Sequence, residues 1–214
     1  AEADLRQGAA LNVGDWFQFE VGTGSLIANS AVRLPVTAVI GATTWVTFHV
    51  DLVGTDVRMT GQPEEVPPLA RGVIPEVEQR GYRAYPLVDH VADKIAATYE
   101  RHGDTQMPST RYRDLVDLVS IAVSASVRAE ALRTALLSEF ERRGLPVPDV
   151  FDIPDRALWV PGYAAEARRS LLKTGQTLDE ALAIVRLLID PVLNDTAAGV
   201  WDRDRREWSV RGGT

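Results

Sequence analysis

The apolar residues of this chain change their spacing once, and that change constrains the fold more than any other feature. Between residues 15 and 53 large apolar and polar residues alternate, as in half-buried strands, whereas from residue 87 the apolar residues recur at helical spacing. Residues 54–86 are rich in Pro and Gly and predict loops around one or two short strands. The order of the two patterns predicts an α+β protein whose strands precede its helices.

Three segments of the first region read as strands. DWFQFEV (residues 15–21) alternates clearly, and residues 31–40 and 44–53 follow with a turn between them. Pro35 favours an edge strand or a bulge. In the last strand Asp51 lies on the more polar face, because alternate residues point to opposite sides.

The second region predicts helices at residues 87–102, 110–125, 127–143, 155–172 and 177–194. Gly103 and Gly144 follow two of them in the C-terminal capping position, and Thr177 with Glu180 forms a capping-box signature. The tail predicts a small hairpin that tucks its two tryptophans against the body. We place the domain boundary so that residues 1–85 hold the strands and residues 86–214 the helices.

Composition excludes several classes of protein. The net charge of -7 argues against a uniformly basic surface that coats nucleic acid. No cysteine is present, which excludes disulfides and cysteine metal sites, and no apolar run reaches the ~18 residues of a membrane span. Only Lys94 and Lys173 are lysines among the 23 basic residues, so Lys94 is a candidate for a chemical role, although chance retention of one helix lysine explains the same observation.

Charged residues recur at helical spacing in the pair of helices between residues 87 and 123. They are Lys94, Arg101, Arg111, Arg113, Asp114 and Asp117. Cations near a cleft suit a triphosphate, which Arg binds through its fork and Lys as a point charge. An interhelical ion-pair network, to which Arg113 and Asp117 at i, i+4 would belong, explains the same spacing. Spacing alone leaves both interpretations open.

Other catalytic patterns are weaker. The three histidines lack metal-ligand spacing, and neither a G-x-S-x-G motif nor a P-loop occurs. Asp202 and Asp204 form a D-x-D among arginines of the tail, where a solvated charge cluster is a better interpretation than a metal site.

At the charged helix pair the sequence resembles a known family, the AbiEii/AbiGii-type nucleotidyltransferase toxins of bacterial toxin–antitoxin systems, which include the related MenT toxins. VADKIAATYER (residues 91–101) followed by TRYRDLVDLVSIA (residues 110–122) is similar to the family's helix with Lys and Arg and to its R-x-(K/R)-D-x-x-D-L signature. DWFQFEV, FHVDLV and a WD…W tail also resemble family segments, so the resemblance covers most of the chain.

The resemblance implies a polymerase-beta-like nucleotidyltransferase core with an incomplete, mixed sheet, followed by a helical domain. It implies a cytoplasmic toxin that transfers a nucleotide from NTP to RNA, with tRNA as the expected acceptor. Mg²⁺ is implied because in-line attack on the α-phosphorus needs divalent ions to hold the attacking and leaving oxygens. A cognate antitoxin is the implied protein partner, and no membrane is involved.

Residue by residue, Asp51 resembles the carboxylate that supports the metal site. Lys94 resembles the lysine that contacts the nucleotide phosphates, and Asp114 or Asp117 the acidic residue beside it. The expected contacts to the triphosphate or the RNA end are Arg101, Arg111 and Arg113.

The family's first motif, a Gly-rich helix start followed by a strand with D-x-D, is absent from the residues before Asp15. GTGS at residues 22–25 resembles its beginning, but the next strand, AVRLPVTAVI, contains no aspartate. Three explanations fit the absence of this motif: a missing upstream segment, a natural truncation or an inactive relative. The alternative function is a truncated, non-catalytic relative that binds an antitoxin or RNA.

Overall fold

The structure, a computed structural model, describes residues 2–11, 16–27, 31–53, 59–68 and 81–209. The chain forms two compact units, Ala1–Arg58 with Val66–Tyr82, and Met59–Glu65 with Arg83–Thr214. The first holds a helix, α1 (Glu2–Ala10), and a sheet, and the second is mainly helical, which confirms the α+β class. In these described ranges no helix has the length and apolar character needed to cross a membrane.

The sheet of the first unit consists of β1 (Phe17–Val21), β2 (Ser25–Ile27), β3 (Ala31–Ile40) and β4 (Thr43–Leu52). β3 pairs with β4 along most of its length, and β1 and β2 pair with its two ends. All of these pairings are antiparallel, so the described strands differ from the mixed sheet expected above. For β3 and β4 the reason is the two-residue turn at Gly41 and Ala42, which is too short to join parallel strands.

Alternate residues of β3 form the buried side of this sheet. Leu34, Val36 and Ala38 are almost fully buried, and each pairs with an apolar residue of β4. Pro35 lies in a strand that pairs on both sides, which corrects the edge prediction. The Pro35 carbonyl accepts a hydrogen bond from the Gly22 N–H. The N–H that proline lacks would lie on the same side of β3, in the gap between the residues that pair with β2 and those that pair with β1.

Within residues 81–209, five helices confirm the five predicted. They are α2 (Leu87–Tyr99), α3 (Tyr112–Ser124), α4 (Ala129–Arg143), α5 (Arg156–Arg169) and α6 (Leu178–Leu193). Each contributes a fully buried side chain to one core, namely Ile95, Leu118, Leu132, Trp159 and Leu188. The second unit is therefore held together by apolar faces at helical spacing.

Two predicted helix ends are confirmed and one is wrong. Gly144 caps α4 with a φ of 63°, and Thr177 with Glu180 forms the complete capping box of α6. Gly103 does not cap α2, which ends at Tyr99 with an extended Glu100. Gly103, with a φ of 68°, instead lies in the turn between the short strands β7 (Arg101–His102) and β8 (Met107–Pro108). Another two-stranded sheet is formed by β5 (Glu64–Val66) and β6 (Tyr82–Ala84).

The predicted tail hairpin is present as β9 (Val200–Asp202) and β10 (Glu207–Ser209). Trp201 is buried and donates its indole N–H to the Ala122 carbonyl at 2.8 Å. Trp208 donates to the Leu188 carbonyl at 3.1 Å, and the two rings meet edge to face. The hairpin thus fastens α3 and α6 together.

Candidate functional site

A buried lysine lies where α2 meets α3. Lys94 precedes the core residue Ile95 on α2 and exposes only 8% of its side chain. Its Nζ donates to Oδ1 of Asp114 and to Oδ2 of Asp117, each at 2.7 Å. Both carboxylates reach the same ammonium group because they are three residues apart on one face of α3. The structure therefore brings three of the predicted site residues together.

The charges of this cluster stabilise one another. Burial by itself lowers the pKa of Lys94, but the hydrogen bonds and charges of Asp114 and Asp117 outweigh it and raise that pKa above its ordinary value. Arg111 donates to the second oxygen of Asp114 at 3.1 Å. Lys94 is accordingly a permanent cation at neutral pH.

The interhelical ion-pair network that spacing left open is thus present, with different partners. Asp117 pairs with Lys94 on the other helix. No ion pair joins it to Arg113 on its own helix in the ranges that the structure describes. Asp117 therefore pairs with the buried ammonium group of Lys94 and not with Arg113, four residues before it on the same helix.

Exposure increases from the lysine outward. The exposed fraction of the side chain is 8% for Lys94, 15% for Asp114 and 42% for Asp117. The second oxygen of Asp117, Oδ1, accepts no hydrogen bond from any residue that the structure describes. A ligand arriving from solvent would therefore meet Asp117 before it met the ammonium group.

A cleft of about 720 Å³ lies beside the cluster, between the start of α3 and the end of α5. Its charged lining comes from Arg111, Arg113, Asp114 and Asp117 on the α3 side and from Glu166 and Arg169 on α5. The volume falls in the range of ~300 to 1,000 Å³ that is typical of small-ligand sites.

Close packing of α3 on α5 forms one end of this cleft. The rings of Tyr112 and Trp159 meet edge to face with centroids 5.2 Å apart, and the Trp159 indole donates to the Ser109 carbonyl. A Cβ at Gly162 would lie 2.4 Å from the Tyr112 ring. A glycine at this position in α5 therefore allows the Tyr112 ring to lie against the helix.

The predicted arginines lie in different places. Arg111 and Arg113 line the cleft, whereas Arg101 lies in β7, where its guanidinium is 3.5 Å from the Gln106 carbonyl, and it does not line the cleft. Arg113 is exposed and has no ion-pair partner among the residues described. Sequence reasoning missed Arg169, because a basic end is typical of any helix C-terminus and gives no sign of a distant neighbour.

Two further polar residues of α2 were missed. His90 lies one turn before Lys94 with an exposed side chain, and partial loss of hydration together with the Lys94 charge lowers its pKa. Asp89 is buried and accepts hydrogen bonds from Thr60 and from the Gly61 N–H. Asp89 thus fixes residues 60–61 to α2, which is a structural role.

Asp51 belongs to the sheet of the first unit. It faces Arg33 across the β3–β4 register, and the two side chains form a bidentate ion pair with both contacts at 2.7 Å. The hydrogen bond from Arg33 holds the pKa of Asp51 below its usual range. Both side chains are close to half exposed.

The carboxylates do not fit a magnesium site in the described parts of the chain. No group of three His, Asp or Glu side chains there could hold a metal ion. Asp51 offers its two oxygens to Arg33, and the D-x-D of the tail serves a turn. Oδ1 of Asp202 accepts from the backbone N–H groups of Asp204 and Arg205 and so closes the β9–β10 hairpin.

Comparison with protein families identifies the family to which this chain belongs. The family model described as nucleotidyl transferase AbiEii toxin of type IV toxin–antitoxin systems matches residues 7–202. No curated protein matches the sequence. The family match includes both helices of the lysine–aspartate cluster and the whole cleft lining. Because it covers most of the chain, this protein belongs to the AbiEii family of nucleotidyl transferase toxins.

Proposed function

We propose that this protein is the toxin of a toxin–antitoxin pair and transfers a nucleotide from NTP to RNA, with tRNA as the expected acceptor. The observation that carries the proposal is the contact of Lys94 with Asp114 and Asp117 at the edge of a cleft with arginines in its lining. Family membership gives this cluster its chemical context, because nucleotidyl transfer needs fixed cations around a phosphate chain.

Each side chain receives a role from its position. Lys94 has three donors and uses two of them on carboxylates, so the third is assigned to a phosphate oxygen. Arg111 and Arg113 would neutralise charge that develops on the leaving pyrophosphate. Asp114 holds Lys94 and Arg111 in place, and Asp117 accepts a hydrogen bond from the ligand.

Other expected contacts follow from the family resemblance. Arg101 is proposed to contact the RNA outside the cleft. The sheet of the first unit is proposed to belong to a polymerase-beta-like core. The resemblance assigns Asp51 to the metal side of that core, although Arg33 engages both of its oxygens in this structure. Mg²⁺ belongs in the assay because divalent ions hold the attacking and leaving oxygens in such transfers; the roles above depend only on protein side chains.

The test is label transfer. Purified protein with Mg²⁺, an α-labelled NTP and tRNA should label the RNA, and Lys94→Ala and Asp117→Ala should abolish the labelling. Lys173→Ala and Asp104→Ala, which remove the same charges from exposed positions, should leave it unchanged. The mass of the product separates nucleotide addition from phosphate addition. Full activity in both site variants would remove these residues from the mechanism.

A non-catalytic role in binding an antitoxin or RNA is the second candidate. The bidentate pair of Asp51 with Arg33 favours it, because both oxygens of that carboxylate are already engaged. This candidate predicts binding that is independent of nucleotide and no label transfer by the wild-type protein.

A further inference from the structure

We infer that the cleft between α3 and α5 binds a single nucleotide unit, whose phosphate contacts Arg113 and Arg169 and whose ribose hydroxyl contacts Asp117. The inference rests on the proposed nucleotidyl transfer and adds to it a second wall, α5. It assigns a role to Arg169, which the spacing of charges around Lys94 does not reveal.

The two arginines can both accept a phosphate. Arg169 pairs with Glu166 at 3.1 Å, but 75% of the Arg169 side chain is exposed, and ion pairs this exposed contribute little. A phosphate can therefore replace Glu166 at small cost. Arg113 is exposed on the opposite wall and, in the described residues, carries no carboxylate partner to be displaced. A guanidinium fork matches phosphate oxygens in pairs.

The same cleft offers an acceptor for a hydroxyl group. Oδ2 of Asp117 is held by Lys94 at 2.7 Å, while Oδ1 lacks a hydrogen-bond partner within the described residues. Lys94 also binds Asp114, so its charge offsets part of the repulsion between these carboxylates and a phosphate. Donors on two walls and an open acceptor in the same cleft match the phosphate and ribose of a nucleotide.

The size of the cleft suits a ligand as small as one nucleotide unit. About 720 Å³ lies within the range of sites for small ligands, whereas a nucleic-acid duplex needs an open surface of a different scale. A free NTP and the terminal nucleotide of an RNA share the required chemistry.

Two neighbouring arginines of α5 provide a matched test. Arg169 lines the cleft and Arg168, which is also exposed, does not. Dissociation constants for each of the four NTPs and for a short single-stranded RNA are measured by calorimetry with wild-type protein, Arg169→Ala, Arg168→Ala and Arg113→Ala. Arg169→Ala and Arg113→Ala should weaken binding about tenfold, as expected for a lost charge-assisted hydrogen bond, and Arg168→Ala less than about twofold.

The ligand class whose binding is lost identifies the source of the nucleotide unit. A loss for an NTP alone indicates the donor nucleotide, and a loss for RNA alone indicates the RNA end; either supports the inference. Equal weakening by Arg168→Ala and Arg169→Ala, no weakening by either, or no binding of any probe by the wild type would overturn it. Thermal unfolding verifies that each variant is folded. Label transfer is scored separately, so wild-type protein that binds through Arg169 but transfers nothing refutes the proposed function and retains the cleft assignment.

Discussion

At the scale of the residue, Lys94 links stability to the candidate site. Its single charge serves two carboxylates, one of which is largely buried, so the same contacts hold α2 to α3 and orient Asp117. The scarcity of lysine in the sequence singled out this residue, and its spacing from Asp114 and Asp117 limited the possible partners. Spacing could not decide whether Asp117 would pair with Arg113 or with Lys94, because that depends on how the two helices pack.

Lys94→Met should lower the free energy of unfolding by about 3 kcal/mol, because it leaves buried carboxylate charge without its cation. Lys173→Met, at an exposed position, should change it by less than about 0.5 kcal/mol. Urea unfolding measures both. In an Asp114→Asn background the cost of Lys94→Met should shrink, since part of the unpaired charge is gone. Equal costs for the two lysines would contradict the assigned ion pairs.

His90 should make stability depend on pH. Partial loss of hydration and the Lys94 charge lower its folded-state pKa, against the opposing charges of Asp117, Asp93 and Asp114. As pH falls, the unfolded chain therefore binds the proton at a higher pH than the folded chain does. The stability that depends on neutral His90 is fully present above the ordinary histidine pKa of 6.5 and is lost as pH falls through the folded-state pKa.

His90→Asn should remove that part of the pH dependence in urea unfolding between neutral and mildly acidic pH, whereas His102→Asn, in β7, leaves His90 in place and should retain it. A His90→Asn protein with the wild-type pH profile would show that His90 does not cause the slope.

At the scale of the element, the end of the cleft depends on how closely α3 approaches α5. The helical spacing of apolar residues predicted both helices, since each buries one face. It could not predict that Tyr112 would lie on Gly162, because the two residues come from separate helices and neither has a local signature for this contact. Arg169 was missed for the same reason, as its neighbours across the cleft are far away in sequence.

Gly162→Ala should lower the free energy of unfolding by about 1 to 3 kcal/mol, because the new methyl group would collide with the Tyr112 ring. Gly8→Ala is the matched control. Gly8 lies in α1 with nothing within 4 Å of an added Cβ, so the change should stabilise the protein by about 0.5 to 1 kcal/mol. Thermal or urea unfolding gives both values. A stabilising Gly162→Ala would disprove the close approach.

At the scale of the whole molecule, the hydrophobic periodicity of the sequence predicted the order of strands and helices. It did not predict which residues pair across neighbouring strands. Strands in the first unit and helices in the second reflect hydrophobic spacings of two and of three to four residues. The pairing of Asp51 with Arg33 depends on the β3–β4 register, which the turn at Gly41 fixes. The sequence indicated a polar face for Asp51 but not the cation that engages it.

Single-turnover transfer of an α-labelled nucleotide to tRNA by Asp117→Asn tests whether the lysine–aspartate cluster takes part in the transfer. This change keeps the shape of the side chain and removes its charge. Wild-type protein and Asp104→Asn should transfer label at equal rates, while folded Asp117→Asn, which loses the negative charge that holds Lys94, should be slower by about tenfold or more. Transfer by folded Asp117→Asn at the wild-type rate would contradict the assignment of the Lys94–Asp114–Asp117 cluster as the catalytic site.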